Sequence, residues 1–450
     1  MAELARITFS QPSSLTSVSL PSSPNNIMSS TWVVEHTQSI LSPTCRLCPG
    51  LADEYGPWRA RQALPQPEPY AIPQIIATET FTWPGTEYTK HIHLEADDSI
   101  PEHTGHYLGR GVTSEVHEVV YHETTFALKR RRVLRRNTYR DLKEFKKEQA
   151  NMEKVKHHQH VAKIVGTFVH PRVIGILIWP AAICDMGTFF DDLDPLWTLY
   201  LQYGKHGCVE RKKIEQAIGA DAMKRLTALN VLHTSTADQS TFFPAYLRIE
   251  RSFGCLATAL AYLHNQGVKH KDLKPTNILL TSNNILLTDF GTSTDISTAA
   301  ESATETWGGT PKYFAPEVAA YLPSGRAADI FSLGCIFLEM AYVHYGTPQE
   351  AFQQLRPSKD RSYQANIHLL DHWVGRVHMY PDGWFRSLVK DMLAAAPEKR
   401  PIASDVVERL LELRRQYDSV GGNVSSGALF GDCCAGRMTL AEMDRFETPI

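Results

Sequence analysis

The sequence predicts an α+β chain in which a small sheet-rich half precedes a larger helical half. Three observations carry this. Short runs of β-branched and aromatic residues, separated by tight turns, crowd the region from His106 to Trp179. One segment of helical period, Asp141 to Lys156, interrupts them. From Leu247 to about Tyr417, segments of helical period dominate.

Residues 1–80 are rich in Ser, Pro and Thr, with Ser22-Ser23-Pro24 and Pro65-Gln66-Pro67 as examples. Their apolar residues hold no sustained period, so a disordered arm is expected. Residues 81–103 form an ambiguous lead-in, expected to pack on the domain as a leading strand. The domain itself is placed at 104–417. Tyr107-Leu108-Gly109, the run from Val116 to Tyr121, and Thr125 to Lys129 read as three strands. The Asp141–Lys156 helix puts Leu142, Phe145, Gln149, Met152 and Val155 on one face. Two more strands are expected at Ala162–Val169 and Val173–Trp179. The small half therefore spans 104–181 and the helical half 182–417. Residues 188–245 read as an insertion containing an amphipathic helix from Glu210 to Leu229. Helices are expected at Leu247–Asn265, Asp329–Tyr342, His368–His378, Gly383–Ala395 and Ala403–Tyr417. Residues 418–450, Gly/Ser-rich near Gly421-Gly422 and Ser425-Ser426-Gly427, read as a flexible tail.

Composition permits a large two-part domain with flanking segments. The chain has 450 residues, 43% of them hydrophobic, and a net charge of −3. That charge gives no argument for nucleic acid. No apolar run approaches the ~20 residues of a membrane span. Residues 1–30 lack the basic start and apolar core of a secretory signal. The eight cysteines are scattered, which suits a reducing compartment and an intracellular, cytoplasmic or nuclear location.

The densest chemistry lies in His270-Lys271-Asp272-Leu273-Lys274-Pro275-Thr276-Asn277, followed by Asp289-Phe290-Gly291. An Asp, a Lys and an Asn stand at fixed offsets, and a second Asp follows seventeen residues after the first. Upstream, Gly109-Arg110-Gly111 and Ser114 sit between two predicted strands, and Lys129 ends the next strand. A glycine pair at this spacing also suits a plain hairpin, and a lone lysine is usually a surface residue. Their order along the chain is what points to chemistry.

These motifs resemble those of eukaryotic protein kinases of the serine/threonine type, over residues 104–417. The resemblance implies a two-lobed fold, Mg2+-dependent transfer of phosphate from ATP, and protein substrates with Ser or Thr acceptors. Asp272 would orient the acceptor hydroxyl, and Lys274 would steady the phosphate. Asn277 and Asp289 would hold Mg2+. Lys129 would contact the α- and β-phosphates and pair with Glu148, with Glu144 and Glu153 as alternatives in register. Gly109, Gly111, Ser114, Val116 and Ala127 would surround the nucleotide. Ile178 would back the adenine pocket, the backbone of Trp179 and Ala181 would face the adenine edge, and Asp185 would bond the ribose. His270, Phe290 and Met152 would pack in a column between the lobes. Gly309–Tyr313 and Ala315-Pro316-Glu317 match the peptide-docking segment. Thr310 would bridge Asp272 and Lys274, Glu317 would pair with Arg400, and Asp329 would brace the catalytic loop.

Two positions depart from the family pattern. Ser114 replaces a glycine. Lys271 replaces the Arg that would grip a phosphorylated loop with a planar fork. The loop from Thr292 to Pro311 offers Thr294, Ser297, Thr298, Ser302, Thr304 and Thr306 as acceptors. The phrases Phe253-Gly254-Cys255-Leu256-Ala257 and Phe331-Ser332-Leu333-Gly334-Cys335 look most like filamentous-fungal serine/threonine kinases. The rival reading is a pseudokinase, an ATP-binding or scaffold module on the same fold; a small-molecule transferase stands third. The basic run Lys129–Arg136 reads as a solvated loop. Cys45 and Cys48 lack a second pair at zinc spacing. Cys433-Cys434 could be lipidated, but no apolar or basic run nearby supports it.

Overall fold

A computed structural model describes residues 90–100, 105–110, 114–121, 123–133, 138–203, 211–232, 242–295, 309–377, 383–419 and 429–435. The arm, Gly111, and the acceptors Ser297, Thr298, Ser302, Thr304 and Thr306 lie outside the described residues.

The small half contains strands β1 (His91–His93), β2 (Tyr107–Arg110), β3 (Ser114–Tyr121), β4 (Thr124–Arg132), β5 (Lys163–His170) and β6 (Val173–Trp179). They form one sheet in the order β1-β5-β6-β4-β3-β2. The strands β5 and β6 are buried along nearly their whole length on both faces, which fits their central position. The lead-in supplies β1, which pairs parallel to β5. Helix α1 (Thr138–Val155) buries Phe145, Met152 and Val155. Glu148 and Asn151 are buried on the same helix, and they are the polar residues that the site uses.

Strand β7 (Cys184–Asp185) leads into the large half. The expected insertion is largely helical: α2 (Met186–Tyr203) and α3 (Arg211–Ala228), the latter kinked at Gly219. Pro195 inside α2 reads as a break in sequence, yet Phe189, Phe190, Leu193, Leu196 and Trp197 are all buried and hold the helix in place. A bidentate pair of Arg225 with Asp192, at 2.8 and 2.6 Å, ties α3 to α2.

Helix α4 (Phe242–Asn265) follows, with Ile249, Phe253, Leu256, Leu260 and Leu263 buried at helical spacing. Next come β8 (Val268–Lys269), β9 (Ile278–Leu280), β10 (Ile285–Leu287) and β11 (Thr294–Asp295). They form two small sheets, β10-β9-β7 and β11-β8. Arg248 of α4 donates to the carbonyls of Leu229, Thr281 and Ser282, fastening the end of the insertion to the turn after β9.

The remaining helices are α5 (Pro316–Ala319), α6 (Arg326–His344), α7 (Gln349–Gln354), α8 (Leu370–Gly375), α9 (Trp384–Met392), α10 (Ala403–Ser419) and α11 (Asp432–Ala435). Helix α6 is long and apolar enough to cross a membrane by composition, but 83% of its apolar window is buried in the domain. It is the core helix, apolar on all sides because neighbours cover it all round. The helix expected at His368–His378 is shorter than its pattern. A 3-10 turn spans Gln364–Leu369 and only Leu370–Gly375 is α-helical. Buried Asn366 donates to Ser358, Asp360 and Ser362 and draws the chain into that tighter turn. The tail also departs from expectation: Leu429 and Phe430 are fully buried, and residues 429–435 pack against the domain.

Candidate active site

Two polar clusters face each other across the junction of the halves. The first forms around Lys129, on the buried strand β4. Its Nζ donates to Glu148 Oε1 and to Asp289 Oδ1, each at 2.8 Å. The register of α1 decides which glutamate arrives. Glu144 pairs instead with Arg131 and Arg140, and Glu153 with Lys90 and Lys156. Burial disfavours the charge on Lys129, but Glu148 and Asp289 override it, so its pKa is raised and it stays an ammonium. Burial would likewise push the Asp289 carboxyl up. The charge and hydrogen bond of Lys129 prevail, helped by His270 and Lys274, and hold it below its ordinary value.

The second cluster forms around Asp272. Lys274 Nζ donates to Asp272 Oδ2 at 2.7 Å and to Thr310 Oγ1 at 2.8 Å. Thr310 Oγ1 donates to Asp272 Oδ1 at 2.9 Å. Asn277 Nδ2 donates to Asp272 O at 2.8 Å and to Asp272 Oδ2 at 3.2 Å. The carboxylate of Asp272 is thus fixed from three directions.

The backbone beneath is bent and braced. Lys271 has φ 68° and Asp289 φ 66°, both in the left-handed region. For a lysine that conformation costs roughly 1–2 kcal/mol. Asp329, on the core helix α6, offsets it. It accepts the N–H of Lys271 on Oδ1 and that of His270 on Oδ2, each at 2.8 Å. His264 Nε2 lies 3.0 Å from the same Oδ2. Burial would raise the Asp329 pKa, but the hydrogen bond and charge of His264, the charge of His270 and the Lys271 N–H together outweigh it and hold the group below its ordinary value. Gly309 sits at φ 120°, where a Cβ would meet Phe314 and the carbonyl of Lys271, so only glycine fits where the peptide-docking segment begins.

The His270 and Phe290 rings pack tilted, 5.3 Å between centroids, and His270, Phe290 and Met152 are all buried. One positioning contact has no family motif behind it. Asn151 Nδ2 donates to Ser293 O at 3.0 Å, joining α1 to the chain just after Asp-Phe-Gly. The available signal was its place three residues after Glu148, on the same helical face.

The nucleotide side is less completely assembled. Gly109 lies in β2 with open space around its Cα, and Ser114 opens β3. Val116 is half-buried opposite Lys129, and Ala127 is buried opposite Ile178. The Ala181 N–H, expected to face the adenine edge, is aimed instead at Thr125 O at 3.4 Å. Asp185, expected at the ribose, caps α2: it accepts the Thr188 N–H at 3.0 Å and its hydroxyl at 2.8 Å.

The donor set suits a hard dication. Asn277 uses its amide N–H groups on Asp272, and Asp289 uses Oδ1 on Lys129. Asn277 Oδ1 and Asp289 Oδ2 accept no hydrogen bond among the described residues. Two free oxygen donors beside a lysine that binds anions fit Mg2+ held together with phosphate.

Comparison with known proteins agrees with this geometry. The model of the protein kinase domain matches residues 103–410. The chain is similar to the serine/threonine-protein kinase Nek6 of Oryza sativa, 36% identical over 36% of this chain and 28% of that protein. It is similar to the serine/threonine-protein kinase nekl-2 of Caenorhabditis elegans, 28% identical over 54% of this chain and 58% of that protein. It is also similar to the serine/threonine-protein kinase Sgk1 of Homo sapiens, 46% identical over 19% of this chain and 20% of that protein. The chain spans between about a fifth and just over half the length of these relatives. With a two-part fold, a paired Lys129 and Glu148, and a catalytic-type loop braced on the core helix, the chain belongs to the protein kinase domain family.

Proposed function

We propose that the chain transfers the γ-phosphoryl group of Mg-ATP to serine and threonine hydroxyls of protein substrates. The observation that carries this is the position of Asp272, held between Lys274 and Thr310 beside Asn277, with its carboxylate oriented before any substrate arrives. Asp272 orients the acceptor hydroxyl and takes its proton as the oxygen attacks phosphorus. The new oxygen–phosphorus bond forms, the bond to the bridging oxygen of ADP breaks, and ADP leaves with that electron pair. Lys274 and Lys129 stabilise the charge on the transferring group. Mg2+, when bound by Asn277 and Asp289, would neutralise the phosphates further. Glu148 keeps Lys129 in place. Gly109, Gly111, Ser114, Val116 and Ala127 enclose the nucleotide. Trp179 and Ala181 receive the adenine, with the Ala181 N–H leaving its long bond to Thr125, and Asp185 adds a ribose contact to its capping role.

The contact of Thr310 with both Asp272 and Lys274 supports serine and threonine as acceptors, as do the names of the relatives. The finer kinship with filamentous-fungal kinases rests on the Phe253–Ala257 and Phe331–Cys335 phrases. An intracellular location belongs to this proposal, supported by the unbridged state of the five described cysteines.

The test is transfer of label from Mg-ATP to the chain itself and to a general serine/threonine substrate, by wild type and by Asp289→Asn. Transfer by wild type alone is expected. ATP binding without transfer by either would favour a scaffold module, and no ATP binding would sink the nucleotide site altogether.

A further inference from the structure

The C-terminal segment docks against α4. The Gly254 N–H donates to Leu429 O at 2.7 Å. The ring of Phe430 lies so close that a Cβ at Gly254 would be 2.2 Å from it. This seat brings Cys433 and Cys434, in α11, beside Cys255 of α4 and His160 of the loop after α1. The four ligand atoms lie within 4.8 Å of one another, and three of the four residues are buried.

Three of the distances are those of a coordination shell. Tetrahedral zinc, with Zn–S of about 2.3 Å and Zn–N of about 2.0–2.1 Å, has S···S edges near ~3.8 Å and S···N edges near ~3.5 Å. Cys255 Sγ lies 3.6 Å from Cys433 Sγ and 3.9 Å from Cys434 Sγ. His160 Nε2 lies 3.6 Å from Cys433 Sγ. The His160 Nε2 to Cys434 Sγ contact is shorter, at 3.0 Å, as suits a thiol proton donated to the ring.

The imidazole is already oriented as a ligand. His160 Nδ1 lies 2.8 Å from Asn284 Oδ1 and 2.9 Å from Ile285 O. Both are acceptors, so Nδ1 carries the proton and Nε2 presents its lone pair to the sulfurs. The amide of Asn284 is fixed in turn, donating to Gln159 O at 3.0 Å and accepting the Ile285 N–H at 2.8 Å. Donors also reach the sulfurs themselves. The Gly431 N–H lies 3.3 Å from Cys255 Sγ, and Gln159 Nε2 lies 3.4 Å from Cys434 Sγ.

We propose that His160, Cys255, Cys433 and Cys434 form a structural zinc site that staples the C-terminal segment to the kinase domain. Three thiolates and an imidazole are the soft set that selects Zn2+ over the hard dication of the cleft. All four positions are protein ligands, so the site has no place for a substrate. Binding releases three thiol protons and leaves a net charge of −1, far less costly to bury than three bare thiolates. The ligands come from three distant parts of the sequence, so the ion crosslinks α4, the α1–β5 loop and the tail. The loop directly follows the helix that carries Glu148, so the staple steadies α1 from behind.

The experiment is elemental analysis of the full chain, purified reduced, supplied with zinc and dialysed. About one zinc per chain is expected in wild type. Almost none is expected in Cys433→Ser/Cys434→Ser, while Cys335→Ser, at a buried cysteine outside the cluster, should keep it. Should the double variant fail to fold, cobalt titration of wild type gives an independent reading. A thiolate-to-cobalt charge-transfer band, displaced by zinc, is expected. Folded, reduced wild type that retains no zinc would overturn the proposal, as would zinc retained equally by the double variant. A Cys255–Cys433 disulfide that persists in reductant and excludes zinc would overturn it too.

Discussion

The cleft and the helical floor beneath it contain the same kinds of ion pair, in different degrees of enclosure. In the cleft, the Lys129 side chain is 20% exposed and that of Asp289 41%. In the floor, Arg400 grips Glu317 with two hydrogen bonds of 2.7 and 2.8 Å, and their side chains are 0% and 6% exposed. Arg400 also donates to the carbonyls of Ala327, Ala394 and Ala395. The open set leaves room to exchange protein partners for phosphate and metal, as the proposed function requires. The closed set has no such freedom, so its only role is to hold shape. Side-chain identity alone does not separate the two; access to solvent does.

This contrast is broken or sharpened by three measurements. Asp272→Asn keeps the size of the side chain and a contact to Thr310, but removes the base. Transfer should fall by roughly 10²–10⁴, with a melting temperature close to that of wild type. A large loss of stability would move Asp272 into the floor class. Arg400→Ala should do the reverse. It leaves Glu317 buried without its partner, at a cost of about 3–5 kcal/mol. Tm should drop by roughly 6–20 °C, while activity per folded molecule is retained. Unchanged Tm would show that enclosure is not what distinguishes the pairs.

The third measurement concerns pH. His344 ends α6 in the floor, its ring tilted over Tyr246 at 3.8 Å between centroids and beside Tyr345. Neither ring nitrogen has a partner among the described residues. Burial pushes its pKa from 6.5 down to about 3. The folded state therefore favours the neutral ring. The unfolded chain takes up a proton first, as pH falls below 6.5. Stability is full above that value and is lost progressively down to about 3. The loss should be roughly 2 kcal/mol between pH 6.5 and 5. Denaturant melts should show His344→Met losing less over this interval. Parallel losses in wild type and variant would count against burial as the cause.

The site was more legible than the scaffold, for a physical reason. Asp272, Lys274 and Asn277 lie within one loop, so their spacing is local and appears directly in the sequence. Glu148 came from the family resemblance, with Glu144 and Glu153 left open by the register of α1; the structure gives those two other partners. Thr310 and Asp329 were legible through family motifs rather than through spacing. The Asn151–Ser293 contact, the parallel pairing of β1 with β5 and the docking of Leu429–Phe430 were not legible. Each joins segments far apart in sequence, and a local pattern does not record the partner. The Gly/Ser-rich approach to the tail pointed away from docking, although the few residues beyond it are the ones that pack. Helix α2 was hidden by Pro195, whose local cost is outweighed by the burial of its apolar face.

Gly254 has a consequence for the history of this chain. Its missing side chain is the space that Phe430 occupies. Alanine there would evict the ring, so the two positions cannot change independently. In related sequences, a residue larger than glycine at this point of α4 is expected only where the segment equivalent to Leu429–Phe430 has been lost or displaced. One small residue in the middle of the domain thus becomes a marker, readable from sequence alone, of which lineages have made their C-terminal end part of the fold.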